Sequence, residues 1–191
     1  GCPAAARGTL GAGESYMDAQ WDCDRLDELA CRLIRAHAAS RLHPLSLAIG
    51  AEAGFVARAI DSDRNGLTEV MKAAANYRGT ALVEILQNCP VFNEGAHDLI
   101  TDRATAAEHQ LWVEHGKPLV FGAKREKGVV MNPKTCQLEV VSLSETVTEA
   151  DLVVHDETNQ TLAWQLATLP GIAAMGVLYC NPGVAYDAAV V

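Results

Sequence analysis

The run FVARAIDSDRNGLTEVMKAAANYRGTALVEILQNCP, residues 55–90, decides the fold. Its first six residues are apolar apart from Arg58, the composition of a short strand buried on both faces. Asp61-Ser62-Asp63 follows, with side chains suited to accept from the free amides of a helix start. Leu67, Val70, Met71, Ala74 and Ala75 then recur at helical spacing and mark a core face, and Arg78-Gly79 offers a basic last turn and a left-handed stop. Residues 81–86 read as a second buried strand. Strand, helix and strand over this length form a crossover unit, which within one sheet is parallel and right-handed. The middle of the chain is therefore expected to be α/β.

Upstream, residues 45–54 are small and apolar with helical tendency. Leu26, Leu29, Ala30, Leu33 and Ile34 predict an amphipathic helix over 24–37, whereas residues 1–22 are rich in Gly and Ala without periodicity and read as poorly ordered. From about His97 the pattern turns to short β-rich runs such as 118–121, 137–142 and 151–154. Residues 159–168 read as helical, and 175–179 as a final strand before the turn sequence Asn181-Pro182-Gly183.

About half of the 191 residues are apolar, enough for a sizeable core. A formal net charge of -9 argues against nucleic acid or an anionic membrane surface as partner, since both select basic faces. No stretch approaches the roughly 20 apolar residues of a membrane span and no signal-peptide pattern opens the chain, so a cytoplasmic protein is expected. The six cysteines, Cys2, Cys23, Cys31, Cys89, Cys136 and Cys180, form no C-x-x-C pair, and most read as small buried hydrophobes.

One position stands out chemically. In open parallel sheets ligands gather beyond the carboxyl ends of the strands, and Gln87-Asn88-Cys89-Pro90 directly follows the second strand. Proline after Cys89 stops ladder pairing and frees the sulfur from regular structure, which suits a cluster ligand. Taken alone, the same residues also fit a half-buried thiol at a strand end, the commoner case. The histidines offer no H-x-x-x-H or H-E-x-x-H spacing, and His97 and His109 read as decoration of a solvated segment. His155-Asp156-Glu157 is expected to cap the next helix or to touch another subunit, and residues 115–118 to form a turn. Residues 61–65 suit a cap region and not a calcium loop. Gly50, Gly54 and Gly66 form no phosphate cradle, and no nucleophile elbow is visible.

The wider context is more specific. Residues 44–58, Asp61-Ser62-Asp63, residues 80–93, the stretch LWVEHGKPLVFG at 111–122, HDETN at 155–159, LAW at 162–164, GVLY at 176–179 and PGVAY at 182–186 resemble, in order and spacing, the beta subunit of 2-oxoglutarate:ferredoxin oxidoreductases, within the 2-oxoacid:ferredoxin oxidoreductase family. The likeness runs from about His43 to the end and is to the carboxyl-terminal part of that subunit. It implies an enzyme subunit that, with an alpha partner, oxidatively decarboxylates a 2-oxoacid on thiamine diphosphate and magnesium. Acyl-CoA is formed, and electrons pass through a 4Fe-4S cluster to ferredoxin. The resemblance makes Cys89 the last of four cluster thiolates, and so both the metal-binding and the cofactor-binding residue expected here.

The chain also departs from the family. The other three cluster cysteines, two of them in a C-x-x-C-type pair, and the Gly-Asp-Gly motif that holds magnesium on the diphosphate are absent. Cys2, Cys23 and Cys31 have other spacings, and residues 1–42 do not share the resemblance, as a frameshifted or misjoined gene would leave them. The expectation is α/β: residues 1–42 as an atypical segment, 43–95 as the remnant of a doubly wound, parallel, thiamine-diphosphate-binding sheet, and 96–191 as a β-rich, α+β extension. Such a fragment is expected to be inactive alone. A non-catalytic subunit-interaction module, or another thiamine-dependent decarboxylase, is the alternative.

Overall fold

In the computed structural model, residues 44–91 and 93–183 are described. The chain divides into two units, Gly1–Arg41 and Leu42–Val191, and every described residue belongs to the second. The readings of 1–22 and 24–37, and the end of the 182–186 motif, lie outside the described residues.

Helix α1 (Pro44–Gly50) leads through a turn into β1 (Phe55–Ile60), α2 (Arg64–Asn76) and β2 (Ala81–Leu86). Two four-residue helices, α3 (Asp98–Thr101) and α4 (Ala106–His109), precede β3 (Gln110–Trp112). Then come β4 (Val120–Phe121), β5 (Lys127–Met131), β6 (Leu138–Ser142), a 3-10 turn at Glu149–Asp151, α5 (Gln160–Ala167) and β7 (Ala173–Cys180).

The crossover unit is present as expected, with β1 and β2 parallel and in register from Phe55 opposite Ala81 to Ile60 opposite Leu86. The sheet as a whole is mixed: its order is β2-β1-β7-β3, with β7 antiparallel to β1 and β3 parallel to β7. Two strands from the part after residue 95 thus join the sheet of β1 and β2, because a buried apolar run specifies a strand covered on both faces but says nothing of its neighbour or direction. All six residues of β1 are buried because helices cover both sides. Phe55, Ala57 and Ala59 pack with Val70 of α2. Val56 joins Leu45 and Ile49 of α1, Leu162 and Leu166 of α5, and Leu178 of β7 in the larger core.

Asp63 caps α2 as its position suggested, its Oδ1 accepting from the amides of Asn65 at 3.1 Å and Gly66 at 3.0 Å. The helix phase differs from the sequence reading. Val70 is buried, but Met71 is 47% exposed and Ala75 faces solvent, because the buried stripe runs through Leu67, Val70, Ala73, Ala74 and Tyr77. The helix also stops earlier than Arg78-Gly79: Tyr77 is already extended, at ψ 134°, and no basic side chain lies in the last turn.

Downstream, β4, β5 and β6 form a separate antiparallel sheet. Residues 151–154 are not a strand. Asp151 ends the 3-10 turn, and Val154 makes one isolated bridge to Pro118. The helix expected at 159–168 is α5, with Asn159 as cap, and the last strand extends beyond 175–179 at both ends. No helix among the described residues is long and apolar enough to cross a membrane.

Candidate functional site

Beyond the carboxyl end of β2 the chain leaves the sheet at Gln87 and runs to α3 as a loop held by two asparagines. Asn93 grips the backbone of Cys89 on both sides: its Oδ1 accepts from the Cys89 amide at 2.5 Å, and its own amide donates to the Cys89 carbonyl at 3.0 Å. Its Nδ2 also donates to the Gln87 carbonyl at 3.1 Å. Asn88 points the other way, accepting from the His97 amide at 2.8 Å and donating to Asp98 Oδ1 at 3.0 Å and Thr101 Oγ1 at 3.3 Å. Pro90 has no amide to offer a ladder. The Cys89 thiol therefore sits, half-buried, on a loop whose shape is set by side chains one position before it and four after.

Three cysteines, Cys89, Cys136 and Cys180, fall among the described residues, and the fold keeps Cys89 and Cys180 apart. Cys180 pairs with Phe55 at the start of β1, whereas Cys89 lies beyond Leu86, which pairs with Ile60 at the other end. The length of β1 between those ends is roughly 17 Å. Burial, and next the Glu157 charge, push the Cys180 thiol up. Cys136 is exposed on the turn between β5 and β6, where its φ is 54°. Among the described residues no three His, Cys, Asp or Glu side chains converge on a point where a metal ion fits. A 4Fe-4S cluster takes four thiolates around one core, so the described donor set does not fit that group, and no chemical step is derived through it. For thiamine diphosphate the Gly-Asp-Gly motif is missing from the sequence. The groove between α1 and α5, lined by Ile49, Gly50, Gln160, Thr161 and Trp164, holds no ionisable side chain.

Several polar positions were not anticipated. Arg58 lies on the central strand at 3% exposure, its Nε donating to Glu84 Oε2 at 2.7 Å across the β1–β2 pair, and an Nη donates to the Ala167 carbonyl at 3.3 Å. The sole hint was a lone arginine and a lone glutamate at matching positions of two otherwise apolar runs. The role given to His155 needs correction: it caps nothing and is buried at 1% exposure. The cap of α5 is Asn159, which accepts from the Leu162 amide, while Asp156 turns back on Thr158. His97 and His109 stay at the margin, His109 Nδ1 lying 2.9 Å from the Gly171 carbonyl oxygen. Residues 114–117 do form a turn, closed by the Lys117 amide on the Glu114 carbonyl at 3.0 Å.

No family model matches the chain. Over 114 residues, 60% of this chain and 30% of the relative, it is 52% identical to the 2-oxoglutarate oxidoreductase subunit KorB of Mycobacterium tuberculosis. The 2-oxoacid:ferredoxin oxidoreductase subunit beta of Saccharolobus solfataricus is 38% identical over 55 residues, 29% of this chain and 18% of that one. A solved 2-oxoglutarate:ferredoxin oxidoreductase from Magnetococcus marinus, with 2-oxoglutarate, coenzyme A and succinyl-CoA bound, covers 78% of this chain and 37% of its own at 21% identity. Its TM-score is 0.48. A stretch of 29 residues, 15% of this chain, is 59% identical to part of the cyclopropane-fatty-acyl-phospholipid synthase of Escherichia coli, 8% of that protein. The chain thus spans less than a third of the length of KorB. Over the part that it spans, it is a homologue of the beta subunits of 2-oxoacid:ferredoxin oxidoreductases.

Proposed function

We propose that this chain is a piece of a beta subunit whose whole enzyme oxidatively decarboxylates a 2-oxoacid, 2-oxoglutarate above others, and that the piece is inactive by itself. The observation that carries the reading is the 52% identity to KorB over 114 residues. In the whole enzyme carbon dioxide leaves the 2-oxoacid, the acyl group goes to coenzyme A, and the two electrons released reduce ferredoxin. Thiamine diphosphate with magnesium would supply the carbanion chemistry. A 4Fe-4S cluster would carry the electrons. Cys89 is proposed as one of its thiolates, a role supported by its place beyond a strand end and by the loop that fixes its backbone. An alpha subunit and ferredoxin are the proposed protein partners, in the cytoplasm.

The alternative is a subunit-interaction module that keeps the fold without the chemistry. Another thiamine-dependent decarboxylase is the weaker alternative, since it has no need of Cys89-Pro90. Residues 1–42 lack the beta-subunit resemblance, and a frameshifted or misjoined gene is one proposed origin for them.

The test is to sequence the locus upstream of the His43 codon and translate all three frames. A Gly-Asp-Gly motif and a C-x-x-C pair in another frame identify a broken beta subunit with Cys89 as its orphaned ligand. Their absence moves the interaction module ahead. Reduction of a dye by the purified chain with 2-oxoglutarate and coenzyme A is expected to be nil, and measurable turnover would overturn the claim of inactivity.

A further inference from the structure

His155 is a buried titratable group that neither the proposed chemistry nor the cap of α5 uses. Its backbone joins the 114–117 turn, the amide donating to the Lys117 carbonyl at 2.8 Å and the carbonyl accepting from the Gly116 amide at 2.8 Å. Its ring reaches across to β7, where Nε2 lies 2.9 Å from the Val177 carbonyl oxygen. A carbonyl oxygen only accepts, so Nε2 carries the ring proton and Nδ1 is a bare acceptor. That Nδ1 is fully buried and has no hydrogen-bond partner among the described residues. The ring thus fits its pocket in one state, neutral with the proton on Nε2.

We propose that His155 is an acid-released pin: neutral, it ties β7 to the 114–117 turn, and when Nδ1 takes up a second proton, for which the pocket offers no acceptor, the ring leaves and β7 loosens. The step is a proton transfer from hydronium, which becomes water, to the Nδ1 lone pair, and the Nε2 hydrogen bond to the Val177 carbonyl breaks as the ring leaves. The strand affected is central, since β7 lies between β1 and β3 and holds the two sides of the main sheet together.

The electrostatic surroundings are mixed. Glu157 and Asp156 favour the charged ring and His115 opposes it, while burial, the largest influence, lowers the pKa of His155 below the ordinary histidine value. Glu114 and Lys117 lie on the same turn, and Cys180 ends β7, its amide donating to the Glu157 carbonyl at 2.8 Å. His115 is itself exposed, 3.9 Å from Asp156 Oδ1. With the folded pKa lowered, the unfolded or opened chain takes the proton first as the pH falls. Stability from this site is therefore complete above about 6.5, the value of an unperturbed histidine, and is lost as the pH drops below it towards the lowered folded value.

The experiment is hydrogen exchange of the full chain between pH 7.5 and 5.5, corrected for intrinsic rates, on the wild type and on His155→Gln, which keeps an N–H donor but does not titrate. In the wild type, protection of the amides at 173–180 is expected to fall by up to about tenfold per pH unit below 6.5. In His155→Gln that slope disappears, while His115→Gln retains it. A flat wild-type profile, or the same slope in His155→Gln, overturns the proposal. If His155→Gln does not fold, the nitrogen resonances of the wild-type ring decide. A bare Nδ1 that persists below the ordinary histidine midpoint, giving way only as β7 opens, supports the pin. A ring that titrates at the ordinary midpoint while β7 stays protected overturns it.

Discussion

Asn93 does for Cys89 what a ladder partner does for a strand residue: it satisfies both backbone groups, and its Nδ2 bond to Gln87 anchors the clamp to the end of β2. Replacing it removes one acceptor and one donor from a part-buried loop, and each net hydrogen bond contributes about 1 kcal/mol. Asn93→Ala is expected to destabilise the fold by roughly 1–2 kcal/mol in denaturant unfolding. It should also speed alkylation of Cys89 without changing that of Cys136, as followed by mass spectrometry. Equal rates at Cys89 in the two proteins would mean that the clamp does not hold the loop. The same scale shows why Arg58 and Glu84 are tolerated in the sheet. Their charges meet at 2.7 Å with 4% and 18% of the side chains exposed, and an ion pair taken from water persists only when both members stay together.

At the scale of the element, the two longest helices begin where short polar side chains reach back to free amides. Asp63 serves α2 through two amides and Asn159 serves α5 through one. Asp63→Ala is expected to cost about 1 kcal/mol and to lower the midpoint of thermal unfolding by about 2–4 °C for a chain of this size. A calorimetric scan with an unchanged midpoint would show that packing alone holds α2. Strand β7 has a sharper requirement. Gly176 stands at φ 105°, opposite Arg58, and a Cβ there would come within 2.7 Å of the Val113 carbonyl oxygen. That contact is with backbone, which cannot swing aside as a side chain can. Gly176→Ala is therefore expected to destabilise by about 1–3 kcal/mol, a loss that urea unfolding measures.

For the whole molecule, the edge strand β2 and the interior strand β1 of the main sheet differ. Every residue of β1 is buried, while none of β2 is, and Ile85 is 46% exposed. Among the described residues β2 pairs with β1 alone, and parallel strands are ordinarily covered on both faces. A half-covered apolar edge strand is a template for further pairing. Sedimentation of the chain is expected to depend on concentration, and Ile85→Lys to shift it towards monomer. A concentration-independent monomer would show that this edge is already satisfied.

The crossover unit, the cap at Asp63, helix α5 and the position of Cys89 beyond β2 were legible in the sequence. Each depends on neighbours in the chain: apolar runs, capping residues before a periodic stretch, a proline after a cysteine. The beta-subunit relationship was legible for a different reason, the order and spacing of many short motifs. Tertiary structure decided the rest. The direction of β7 and the seating of β3 beside it come from pairing between residues more than 60 positions apart, as between Gln110 and Ala173, for which local pattern carries no signal. The separation of Cys180 from Cys89 follows from the antiparallel pairing of β7 with β1, the Arg58–Glu84 pair from the β1–β2 register across 26 positions, and the burial of His155 likewise shows only in the assembled fold. Local sequence selects which elements form, because propensity and capping act within a few residues. Which side chains meet is settled only when those elements share a core.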